Sequence, residues 1–220
     1  MDVMETLERA LGIPKIHKPK RAVKDLISSN FQKDGNLLIH KFDQISDSDL
    51  MDNYNFAAKA FVDLSMSIEC SLKSIVISLS KDRESPANAY KKARRCSHDL
   101  DRLHKEVTKR AKNRIKLPSR NEEVFEDLKS LGVWSRYSYE IWLIRIQSES
   151  QSRILGNDLI SRTLQSVSWE SALRDEAVKF NKFASETSSK YVSPHSALSG
   201  HKHHAFNKEL SIFLSETEKS

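Results

Sequence analysis

Between Leu50 and Leu79 the apolar residues Leu50, Tyr54, Ala57, Ala58, Phe61, Leu64, Ile68, Leu72, Ile75, Val76 and Leu79 recur every three or four positions. One continuous stripe of this period predicts a long amphipathic helix at the centre of a core. Asp47 or Ser48 is placed to cap its first turn with a side-chain oxygen. Pro86 then starts a short helix running through Lys91 to Arg95, and Ser97 reads as the cap of a helix carrying Leu100, Leu103 and Val107 and stopped by Pro118. Val124, Phe125, Leu128 and Leu131 predict a further helix ended by Gly132, and a run from Asn157 to about Ser188 predicts one more.

The ends of the chain are patterned more weakly. Val3 to Leu11 has helical spacing and is closed by Gly12 and Pro14, and a basic link leads to a faint helical patch over 22–31. The stretch KDGNLLIHKF, with its Asp34-Gly35 pair, leaves strand and loop equally open. Beyond the core, residues 185–204 read as a polar, serine-rich linker and AFNKELSIFLSE as a last short helix. The expectation is an all-α protein, an antiparallel bundle of four to five main helices with short N- and C-terminal helical extensions. Its division would be an N-terminal extension over 1–45, a helical domain over 46–190, and a linker with a C-terminal helix over 191–220.

Composition agrees with this class. In 220 residues, 38% are hydrophobic and 30% charged, with 5 Gly and 5 Pro, which suits a helical protein with one main domain. No run reaches the roughly 18 to 20 uncharged apolar residues of a membrane span, and the acidic start is no secretion signal; a cytoplasmic protein is the expectation. Cys70 and Cys96 read as unreactive thiols.

The net charge of +6 is unevenly spread. Lys91, Lys92, Arg94, Arg95, Arg102, Lys105, Lys109, Arg110, Lys112, Arg114 and Lys116 face only Asp99, Asp101 and Glu106, a local +8 that leaves the rest slightly acidic. Such a cluster attracts phosphates, and RNA or another nucleic acid is the expected partner. The aromatic stretch Trp134 to Trp142 is spaced as a core helix, with Arg136 the one cation inside it. His201, His203 and His204 have no cysteine or carboxylate at zinc-site spacing, so they read as tail residues; no metal and no cofactor are expected. His98 is the side chain able to exchange protons near neutral pH, although no nucleophile adjoins it.

Three segments carry a family resemblance over roughly 47–188. AFVDLSMSIECSLKSIVISL, with Glu69, Leu72 and Lys73, resembles the signature helix of HEPN domains; SHDLDRL resembles the start of their next main helix; WSRYSYE is similar to their later Arg-Tyr element. The resemblance implies a compact helical bundle that commonly dimerises, found among metal-independent ribonucleases of toxin-antitoxin and antiviral systems. The family's catalytic Arg, followed four to six residues later by His on a late helix, is missing here, since no histidine lies between His104 and His195. The resemblance therefore leaves three readings. One is a member that binds RNA or nucleoprotein without cutting. Another is an endoribonuclease toxin with a divergent site formed by His98 and Arg136. The third is an interaction module for a protein encoded beside it. In the first case Glu69, Lys73, His98, Asp99, Arg136 and Tyr137 would form a buried polar network.

Overall fold

The computed structural model describes residues 19–47, 54–112, 115–131, 159–191 and 200–218. Its elements are α1 (Pro19–Ser46), α2 (Tyr54–Ser78), α3 (Pro86–Arg95), α4 (Leu100–Ala111), α5 (Glu122–Leu131), α6 (Leu159–Arg162), α7 (Val167–Tyr191) and α8 (Gly200–Glu218), with no strand among the described residues. The expected leading helix over 3–11, the Ser48 cap, Gly132 and the aromatic stretch from Trp134 to Trp142 lie outside those residues.

The predicted stripe of α2 forms the centre: Leu64, Ile68, Leu72, Ile75 and Val76 are fully buried. The neighbouring face is buried too, and it carries a row of serines. Ser67, Ser71, Ser74 and Ser78, spaced as one helical row, face α1 and α7, and their hydroxyls find partners there. Ser28 of α1 hydrogen-bonds the Ser74 hydroxyl at 3.0 Å, the Ser78 hydroxyl, and Ser188 of α7 at 3.1 Å.

These pairings set direction. Lys41 meets Asp63, Gly35 meets Ser67, Ser28 meets Ser74 and Arg21 meets Ser78, so α1 and α2 run antiparallel. Trp169 packs by Phe61, Asn181 by Ser71 and Ser188 by Ser78, so α7 runs parallel to α2. Arg174 grips Asp43 through two hydrogen bonds of 2.6 and 3.0 Å and fixes α7 against α1.

Three expectations about the elements are corrected. Residues 19–46 form one helix of 28 residues packed along α2, not a weak patch followed by strand or loop, so this part of the expected extension belongs to the core. The run from Asn157 is broken after Arg162, and α7 restarts with the Ser166 hydroxyl accepting from the Trp169 amide at 3.3 Å. The expected linker over 185–204 is helical at both ends, up to Tyr191 and from Gly200, which places the histidines of 201–204 on α8 rather than on a tail.

Gly35 shows why α1 was hard to read. It sits mid-helix where three helices meet, and a Cβ there would lie 2.9 Å from Asn181 Nδ2, 3.2 Å from the Ser67 carbonyl oxygen and 3.2 Å from Ser71 Oγ. Glycine serves the close approach of α2 and α7, not a turn. Alanine is the better helix former by about 1 kcal/mol, yet Gly35→Ala is expected to lower stability by about 1–2 kcal/mol, because overpacking a tight site costs more. Asn181 has little freedom to retreat: it donates to the Gln32 carbonyl at 3.0 Å and accepts from Gln32 Nε2 at 3.2 Å. A higher melting temperature for the variant would contradict this packing.

The C-terminal end of α2 is closed by cations from α1. Arg21 donates to the Ser78 carbonyl at 2.9 Å and pairs with Asp25, while the fully buried Lys24 ammonium donates to the carbonyls of Lys81 at 2.8 Å and Glu84 at 3.1 Å. Carbonyls at and beyond a helix C-terminus need donors, and positive charge there complements the dipole. Burial, aided by Arg21, pulls the Lys24 pKa from 10.5 down to about 8. Between those values the unfolded chain holds a proton that the folded chain has released, so stability rises with pH. Burial pushes Cys70 from 9.0 up to about 11 and raises Cys96 as well, and both thiols work the other way as pH approaches and passes 9. The comparison with Lys24→Met therefore separates the lysine from the thiols. From pH 8 to 9 the urea midpoint should gain in the native chain relative to Lys24→Met; the same change in the two proteins would refute the assignment.

Candidate nucleic-acid interface

The basic cluster is built on α3, α4 and the turn between them. Ser85 caps α3, its hydroxyl accepting from the Asn88 amide at 3.2 Å, with Pro86 at the first helical position. The chain then reverses through Cys96, Ser97, whose φ of 49° is left-handed, and His98. The cap of α4 is Asp99, not Ser97: its carboxylate accepts from the Arg102 amide at 2.8 Å. That correction moves His98 out of the helix and into the turn. The helix also ends earlier than Pro118, at Ala111, with Lys112 in the left-handed region at φ 35°.

From this frame the cations sort themselves. Arg102, Lys105 and Lys109 step by three or four residues along one face of α4 and Lys112 follows at its C-cap; all four are exposed, so they make one basic row. The stripe is about 15 Å long at 1.5 Å per residue, enough to follow more than one phosphate of a strand. None of the four makes an ion pair among the described residues. Exposed Arg94 and Arg95 lie at the end of α3 just before the turn, with Lys91 half-buried one turn earlier. Lys116 is exposed in the loop after α4, and Arg114 lies outside the described residues.

Arg110 does not belong to this surface. Its side chain is 9% exposed, and its guanidinium holds Glu84 through two hydrogen bonds of 3.1 and 3.2 Å, Glu106 at 2.8 Å and the Val76 carbonyl at 3.1 Å. Lys92 shares the same carboxylate at 2.9 Å. Burial alone would raise the Glu84 pKa, but hydrogen bonds from Lys92 and Arg110 outweigh it and hold the group below its ordinary range. Glu84 is therefore the hub that ties α4, α3 and the end of α2 together.

The structure brings together part of the expected polar network. Glu69 on α2 binds Lys73 through one oxygen at 2.5 Å and His98 Nδ1 through the other at 2.8 Å. The carboxylate is nearly buried, at 9% exposed, whereas the imidazole is 38% exposed. A buried carboxylate on Nδ1 fixes the ring's orientation. Asp99 is not in this network, because it is exposed and occupied with its cap. Arg136 and Tyr137 lie outside the described residues.

Two groups at the site escaped the sequence reading. Tyr90 on α3 lies under the Arg94 guanidinium, 5.7 Å from ring centre, and packs 6.1 Å from Phe31 of α1. Lys73 in turn sits 5.9 Å over the Phe31 ring. The Tyr90 and Arg94 spacing of four was the available signal. Both cysteines are free, and burial pushes their thiols up, which leaves them poor nucleophiles. Among the described residues no group of three or more His, Cys, Asp or Glu is placed to hold a metal ion, and no helix is long and apolar enough to cross a membrane.

No protein-family model, no curated protein and no solved structure matches the chain.

Proposed function

We propose that this protein binds RNA through the backbone phosphates, using α4 and the end of α3. The observation that carries the reading is the row of Arg102, Lys105, Lys109 and Lys112, exposed and without ion pairs among the described residues. A solvated helix face is ordinarily mixed in sign; here the neighbouring acids are used elsewhere, Glu106 by Arg110, Asp101 by Arg120 and Asp99 by the helix cap. A surface of cations along one line reads phosphate and carries little base information, so the binding is expected to be broad in sequence. With the resemblance to HEPN domains, the proposal extends to a homodimer in a prokaryotic defence or toxin-antitoxin setting, beside a protein partner encoded nearby.

One observation favours a second reading as an endoribonuclease: the imidazole of His98 is half-exposed and held by the Glu69 carboxylate, the arrangement of a ring fixed for proton exchange. One assay separates the two. The chain is titrated into a labelled single-stranded RNA over a range of salt in the presence of chelator, and the RNA is then inspected for cleavage. Salt-sensitive binding with intact RNA supports the first reading; chelator-resistant cleavage lost in His98→Ala supports the second; salt-insensitive or absent binding refutes the proposal.

A further inference from the structure

The last helix covers the aromatic pair beside the basic stripe. α8 packs on α1 and α3, and Phe213 meets Tyr90 edge to face with ring centres 5.4 Å apart. Phe206, Leu210 and Phe213 supply its apolar contacts, yet none of them reaches full burial, while Ile212 and Leu214 stay 41% and 49% exposed. By contrast α1, α2 and α7 each contribute several fully buried side chains. Elements with few buried contacts open at lower free energy than the core they rest on.

What lies beneath α8 differs from an ordinary apolar seat. Tyr90 and Phe31 form a tilted aromatic pair, and each carries a cation within 6 Å of its ring, Arg94 and Lys73 respectively. Lys73 is bound to Glu69, which holds His98 at the head of the α4 stripe. The aromatic pair is thus joined through Lys73 and Glu69 to His98, in the turn that leads into the basic row. Aromatic rings flanked by cations, beside a track for phosphates, are what single-stranded nucleic acid requires, since every base has a face to stack.

We infer that α8 is a removable cover over a stacking site for bases, and that single-stranded RNA lying on the α4 stripe places bases on Tyr90 and Phe31 when α8 is displaced. This rests on the RNA-binding reading above. The covered state binds through phosphates alone; the uncovered state adds stacking. The partner chemistry is therefore unpaired RNA with strongly stacking bases, and α8 sets its affinity.

The test uses the full chain and two fluorescent oligomers of twelve units, oligoadenylate and an abasic strand of equal charge. Phe213→Ser, with Phe206→Ser/Phe213→Ser as a stronger variant, loosens α8; amide exchange over 200–218 and over α2 shows whether the cover has opened on an intact core. With α8 open, oligoadenylate should bind about tenfold tighter than to the native chain, the abasic strand should be unchanged, and added Tyr90→Leu should cancel the gain. An opened α8 with no gain, or with an equal gain for the abasic strand, overturns the inference, as does α8 protection that survives the double substitution. If either result comes with salt-dependent binding by the native chain, the RNA-binding reading stands alone. If the native chain binds neither strand, or binds both without regard to salt, that reading falls and the inference with it.

Discussion

Arg110→Ala will lower the free energy of unfolding by about 3–5 kcal/mol, the cost of removing one partner from a buried charge cluster. The guanidinium is shared among Glu84, Glu106 and the Val76 carbonyl, and its loss leaves the Glu84 carboxylate, 13% exposed, with the Lys92 ammonium as its remaining ion pair among the described residues. Arg110→Lys should recover little, because an ammonium cannot reproduce the two-pronged grip on Glu84. Lys109→Ala, one residue away, should change stability by no more than about 0.5 kcal/mol, as exposed positions usually do. Chemical unfolding of the three variants checks this, and equal stabilities for Arg110→Ala and Lys109→Ala would contradict it. Acid should act on the same cluster: the Glu84 pKa is held down in the folded state, so the stability it contributes is present above its ordinary value of 4.5 and lost as pH falls below it.

The second large effect is on binding. Lys105→Ala/Lys109→Ala/Lys112→Ala removes three exposed cations of the stripe and none of the groups that hold the core. If each neutralises one phosphate, affinity for single-stranded RNA at moderate salt should fall by about a hundredfold, with melting temperature unchanged. A substitution set that includes Arg110 would confuse the two effects, since lost binding would then follow from lost folding.

That distinction marks where sequence reading stops. Adjacent residues on a helix point about 100° apart, so Lys109 and Arg110 belong to the same charge run and to opposite environments. Only the location of Glu84, brought in from another part of the chain, tells them apart. The α2 stripe was legible because its burial is apolar and periodic, and Leu64, Ile68, Leu72, Ile75 and Val76 lie where that period puts them. Much of α1 was not, because it is buried through polar groups: Arg21, Lys24, Asp25 and Ser28 are all inside, and Gly35 imitates a turn while serving a helix crossing. The serine row of α2 is another case, since hydroxyls count as surface in any hydropathy pattern and become interior only when Ser28 and Ser188 arrive to meet them.

The site was legible to a similar degree. The Glu69, Lys73 and His98 grouping follows from residues whose types and order were readable, and the structure brings those three together. Asp99 was read as a network member for its proximity in sequence, whereas a helix start with free amides had first use of its carboxylate. Tyr90 was passed over because an aromatic in a short helix looks like ordinary core; its place beneath Arg94 and beside Phe31 depends on how α1, α3 and α8 converge.

The central claim is that the α4 stripe, and not the whole basic segment, engages phosphate. The most direct measurement is the dependence of RNA affinity on salt in the native chain and in Lys105→Ala/Lys109→Ala/Lys112→Ala. For a single strand each phosphate contact contributes about 0.7 to the slope of log affinity against log salt, so the variant should show a slope shallower by about 2. Parallel slopes for the two proteins, with both still folded, would contradict the account.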